Sequence, residues 1–120
     1  MIPPFILAKL YVKGSLQNNE DGFEFSLKNI IDSTMLTSIG PVVAGDRHYD
    51  AGSIRMQVGE ESFDGESISK QKPVPVRMSI PMKFTIIGDR LDTGENRITV
   101  TAISSDIGEI TIEINDSVAA

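Results

Sequence analysis

The chain has 120 residues, a net charge of −6 and no cysteine. Without thiols there are no disulfides, thiolate zinc sites, iron–sulfur clusters or cysteine nucleophiles. An acidic chain without a Lys/Arg cluster also lacks the concentrated positive charge that nucleic acid or an anionic membrane surface requires.

With 40% hydrophobic and 23% charged residues, the balance is that of one globular domain spanning residues 1–120. Trp is absent and aromatics are scarce, so the core has to be built from Ile, Val, Leu, Met and a few Phe. The apolar start, residues 1–10, is not expected to be a secretory signal. No Lys or Arg precedes it, Pro3 and Pro4 interrupt it, and it is short. Together with the missing cysteines this points to a cytoplasmic protein. No segment approaches the ~20 apolar residues of a membrane span.

The organising period is two. Leu10, Val12 and Leu16 alternate with polar neighbours, a polar loop covers 17–22, and Phe23, Phe25 and Leu27 alternate with Glu24, Ser26 and Lys28. This predicts a hairpin with a medium loop. Short strands are expected at 34–39, 41–44 and 54–58, separated by glycine turns, and residues 65–71 read as a turn. Val74, Val76, Met78, Ile80, Met82, Phe84 and Ile86 then occupy every even position of a long alternating run. Alternation places them on one face of an extended chain. Pro73, Pro75 and Pro81 fall on the other face, which predicts an edge strand, or two strands bent near Pro81. Residues 89–96 form a turn, and 98–114 a hairpin closed by Ser-Ser-Asp-Ile-Gly at 104–108. About seven to nine short strands with regularly spaced turns predict an all-β fold, an antiparallel β-sandwich of immunoglobulin-like type, with a barrel as the alternative.

The only histidine, His48, lies in Gly-Asp-Arg-His-Tyr-Asp at 45–50. If that stretch is extended, Asp46, His48 and Asp50 project to one side, as three metal ligands would. Alternating polar residues on a surface strand look the same. The acidic group Glu60, Glu61, Asp64 and Glu66 reads as a solvated loop or a patch for a basic partner. Asp89, Asp92 and Glu95 do not have the spacing of an EF-hand loop. Phosphate loops, dinucleotide fingerprints and nucleophile elbows are absent. No catalytic residue and no cofactor is therefore assigned, and the chain is not expected to be an enzyme on its own. Sugar binding would need exposed aromatic platforms, for which only Tyr11 and Tyr49 are available among the larger polar rings.

Residues 1–7 have little alternation, so as a strand they would be apolar on both sides. One side would meet the core, and the other would suit a partner chain. Ile2, Pro3, Phe5, Ile6 and Tyr11 are the expected contact residues, with His48 and Tyr49 as a loop reaching toward a partner. That partner is a larger protein or a second copy of the chain.

The order of motifs carries a family resemblance. Phe-Glu-Phe-Ser-Leu-Lys-Asn at 23–29 is followed by a Val-rich strand into Gly45-Asp46, then Tyr49 and residues 54–58. The tail pairs Leu91-x-x-Gly94-x-Asn96-x-Ile98-x-Val100 with Ile107-Gly108-x-Ile110. The whole resembles the small β-subunit of C-glycoside deglycosidases and its bacterial and archaeal relatives. That resemblance implies a β-sandwich paired with a larger barrel-type subunit, which would hold the metal and the catalytic residues. No catalytic residue is carried over to this chain. The expected role is a non-catalytic accessory subunit of a sugar-active enzyme, or a homo-oligomer. The alternatives are a small metal-dependent enzyme using Asp46, His48 and Asp50, or a carbohydrate-binding or adhesin-type module.

Overall fold

A computed structural model describes residues 2–119. Ten strands follow one another: β1 (Gln17–Asn18), β2 (Gly22–Lys28), β3 (Thr34–Ala44), β4 (Arg47–Tyr49), β5 (Ile54–Val58), β6 (Glu61–Asp64), β7 (Val74–Val76), β8 (Pro81–Ile87), β9 (Gly94–Ser104) and β10 (Gly108–Val118). One sheet has the order β1-β2-β8-β5-β6. The other runs β10-β9-β3-β4, with β7 also paired to β3. All pairings are antiparallel. The two sheets face each other as a β-sandwich, as the alternation predicted.

The inward positions are those of the period-two pattern. Phe23, Phe25 and Leu27 of β2 meet Met82, Phe84 and Ile86 of β8, with Ile54 and Met56 of β5 beside them, and all are buried. Opposite lie Val42, Ile98, Val100, Ile112 and Ile114 from the second sheet. Phe25 and Phe84 stack with ring centroids 5.2 Å apart and planes 14° apart. The hairpin predicted at 98–114 extends over 94–118 in unbroken register, Gly108 opposite Ser104 and Val118 opposite Gly94.

Several local expectations give way. Residues 4–7 form a helical turn, α1 (Pro4–Leu7), and a 3-10 turn, Ala8–Leu10, continues it. Pro3 is extended and Pro4 takes the first helical turn, where its fixed φ and missing N–H suit a helix start. Leu7 and Leu10, three residues apart, then turn inward together, while Phe5 faces solvent at 66% exposure. The segment is therefore not a two-sided strand. Met1, part of the same apolar stretch, lies outside the described residues. The strand expected before residue 17 reduces to one bridge between Tyr11 and Leu27, and the short β1 falls in the polar loop expected at 17–22. The candidates at 34–39 and 41–44 merge into β3, whose register against β9 shifts twice along its length. The polar segments at 47–49 and 61–64, with little apolar signal of their own, add β4 and β6 as edge strands.

The long alternating run breaks before Pro81. β7 belongs to one sheet and β8 to the other, so residues 77–80 cross the end of the sandwich. Ser79 has φ 72°, a left-handed conformation that a regular strand never uses. The crossing is tied down by the Ser79 N–H to the Asn29 carbonyl at 2.8 Å, and by the Met78 N–H to Ser33 Oγ at 3.1 Å. Met78 and Ile80 keep the period of the core face but are exposed, because no opposite sheet remains to cover them at that point.

Candidate association surface

The sandwich ends differ in chemistry. At one end meet the loop at 29–33, the crossing at 77–80, the turn at 105–107 and the N-terminal segment. Asn29 organises the loop. Its buried side chain donates to the carbonyls of Asp32 and Val76 and accepts from the Ile31 N–H. A hydroxyl relay organises the turn. Ser104 Oγ lies 2.7 Å from Thr34 Oγ1, which donates to Asp106 Oδ2 at 3.0 Å, while the N–H groups of Asp106 and Ile107 donate to Ser104 Oγ.

The hydrogen-bonded loops at this end display apolar side chains. Among the described residues, the large hydrophobics that stand exposed are Phe5, Val12, Ile30, Met78, Ile80, Ile103 and Ile107. Phe5, Ile30, Met78, Ile80 and Ile107 all lie on the segments that converge here. Scattered single apolar residues on a surface are ordinary, whereas these five share one end of the sandwich. Between the sheets below, a cavity of about 60 Å³ is lined almost wholly by apolar side chains, with Ile2, Leu7, Ile107 and Ile110 on its N-terminal flank.

The N-terminal segment closes the side of the sandwich between β10 and β2. Tyr11 holds it. The hydroxyl donates to Asp116 Oδ2 on β10 at 2.7 Å and accepts from the Leu16 N–H at 2.9 Å. The Gly14 N–H reaches the same carboxylate oxygen at 2.8 Å. These contacts hold the Asp116 carboxyl below its ordinary range, the Tyr11 hydroxyl contributing most, then the N–H groups of Gly14 and Ser117. Burial, and then the bond to Asp116, pushes the Tyr11 phenol up.

The residues expected at an interface are not gathered into one surface. Pro3 and Phe5 are exposed, Ile2 and Ile6 half-buried, and Tyr11 is engaged as the tie just described. His48 and Tyr49 sit on β4, at the edge of the sheet opposite β10. His48 is exposed, but Tyr49 is buried, its ring edge-on to Phe23 at 5.6 Å. Neither tyrosine therefore offers an open platform for a sugar ring. Asp46, His48 and Asp50 are all exposed, and among the described residues no group of three His, Cys, Asp or Glu is placed to hold a metal ion. Of the other acidic candidates, Asp64 faces Arg55 at 3.9 Å and Asp89 faces Arg47 at 3.5 Å.

Ile30, Met78, Ile80 and Ile107 escaped the pattern reading for different reasons. Met78 and Ile80 match the core alternation. Ile107 sits inside turn chemistry, and Ile30 lies in a stretch with no periodicity. The usable signal was Pro81 directly after Ile80, marking where the core face ends.

Among the described residues no helix is long and apolar enough to cross a membrane. The model of the family described as Hydroxymethylglutaryl-CoA reductase, N-terminal domain, matches residues 6–119. No curated protein matches the chain. The family match overturns the resemblance to the C-glycoside deglycosidase small subunit. The motifs behind that resemblance were alternating strands and turn glycines, which unrelated β-sandwiches share. The barrel-type partner and the sugar-active enzyme inferred from it lose their basis as well.

Proposed function

This chain belongs to the hydroxymethylglutaryl-CoA reductase N-terminal domain family, and on that basis we propose that it is a non-catalytic association domain serving a catalytic reductase unit that acts on hydroxymethylglutaryl-CoA. One observation carries the reading: Phe5, Ile30, Met78, Ile80 and Ile107 stand exposed on segments that converge at one end of the sandwich. Covering such a patch removes apolar area from water, worth about 25 cal/mol per Å² before the costs of association. The loops that present it are held by internal hydrogen bonds, so little ordering is required on docking. A cytoplasmic setting fits a chain with no cysteine.

Co-expression with the catalytic region of a hydroxymethylglutaryl-CoA reductase from the same genome, followed by light scattering on the eluted species, tests the proposal. The expected result is a stoichiometric complex that Met78→Glu and Ile107→Glu weaken about tenfold or more, since each places a charge in the contact. A chain that elutes alone, or only self-associates, beside an uncomplexed reductase unit at tens of micromolar overturns it.

A further inference from the structure

The cavity beneath the apolar end is a built receptacle. Two of its polar neighbours, Asn29 and Thr34, are internally satisfied. The Asn29 amide is used by Asp32, Val76 and Ile31, and the Thr34 hydroxyl by Ser104 and Asp106. A water molecule needs two to four polar partners, and beyond these the lining offers only the exposed Asp32 carboxylate. A dry apolar void forfeits dispersion contacts that an aliphatic group would restore. At about 60 Å³ the space is roughly two-fifths of an apolar cavity that accommodates benzene, which suits about two carbons of an aliphatic side chain.

Carboxylates stand at and beside this cavity, while Arg77 lies on the neighbouring crossing with Ile80. Asp32 lines the cavity, Asp106 is bonded to the lining Thr34, and Glu109 flanks the adjoining hollow beside Ile2, Leu7 and Ile107. No Lys or Arg lines either space.

We infer that this cavity is the anchor site of the association surface, and that it takes an aliphatic side chain of the partner protein flanked by lysine or arginine. The inference rests on the association reading and specifies the partner's chemistry. The aliphatic tip enters between the sheets past Ile2 and Ile107, and the flanking cations meet Asp32, Asp106 and Glu109. A side chain that fills a desolvated pocket at the centre of a contact carries a large share of interface energy.

The test uses three peptides, acetyl-Lys-Ile-Lys-amide, acetyl-Glu-Ile-Glu-amide and acetyl-Lys-Ala-Lys-amide, titrated at low salt into the full chain with labelled methyl groups. The basic isoleucine peptide is expected to give saturable shifts at Leu36, Val100 and Ile112. The acidic one should bind about tenfold or more weakly through like-charge repulsion. The alanine one should lose about tenfold or more because the lost carbons no longer leave water. Ala102→Val, which adds two methyl groups to the cavity wall, should abolish the methyl shifts. Asp32→Asn with Asp106→Asn keeps the hydrogen-bond acceptors and should erase the preference for lysine, which serves as the readout if Ala102→Val does not fold. Equal binding of all three peptides, shifts confined to the surface, or no saturable binding overturns the inference. If the reductase complex nevertheless forms, the association reading stands and only the anchor is wrong. If neither binds, both fall.

Discussion

Tyr11→Phe removes one oxygen from the tie that holds the N-terminal segment against β10. Two hydrogen bonds go with it, one to Asp116 at 2.7 Å and one from the Leu16 N–H at 2.9 Å, and no carbon leaves the core. Each such bond is worth about 0.5–1.5 kcal/mol net, with the upper end reserved for charged partners. Water reaches this half-buried site, so the expected loss is about 1–2 kcal/mol rather than the full cost of a sealed polar group. For a chain of this length that corresponds to roughly 3–8 °C in melting temperature. The pH dependence follows from the direction of the Asp116 shift. The folded state holds this carboxyl below its ordinary range, so its contribution is fully present above about pH 4 and is lost as the pH falls through the depressed value. The difference between wild type and Tyr11→Phe should accordingly be constant near neutrality and shrink in acid. Melting monitored by circular dichroism from pH 7 to pH 2.5 measures it. Amide hydrogen exchange at Gly14 and Leu16 locates it, with faster exchange expected at both. Unchanged melting with unchanged exchange at those amides would refute the idea that Tyr11 fastens the segment.

Phe84→Ala empties the centre of the sandwich beside Phe25 and should cost about 3–5 kcal/mol by denaturant titration. Phe5→Ser, on the same scale, should change stability by no more than about 0.5 kcal/mol, because Phe5 is mostly in water already. Gly88→Ala brings a Cβ to 2.8 Å from the buried Tyr49 ring; a destabilisation of about 1–3 kcal/mol is expected, with loss of the Phe23–Tyr49 edge contact seen as changed ring chemical shifts. His48→Ala, at an exposed position of an edge strand, should leave stability within about 0.5 kcal/mol and leave the melting temperature in zinc or manganese unchanged relative to wild type. A metal-dependent rise in wild type that His48→Ala removes would revive a metal site at residues 46–50.

The family assignment came from the match over 6–119 rather than from any single motif, because a sandwich leaves mainly its strand period and turn residues in the chain. What the sequence by itself determined was the layering. Phe23, Phe25, Leu27, Met82, Phe84 and Ile86 face inward because alternate residues of an extended chain share a side, and that rule needs no knowledge of the partner strand. The hairpin was legible over 98–114 for the same reason, with its turn written in small and polar residues, but not its extension to 94 and 118. Only the tertiary structure decided where the pattern stops meaning burial. Met78 and Ile80 sit on the core period yet lie in water, since both fall on the crossing from one sheet to the other, where the cover ends. Leu7 and Leu10 are buried by helical turns, although residues 1–7 showed little alternation and Leu10 fell in a strand-like period, because the N-terminal segment closes the gap between β10 and β2 and Tyr11 reaches Asp116, 105 residues away in sequence. Local periodicity reports which side chains avoid water; which of them still meet water depends on what the rest of the chain places opposite.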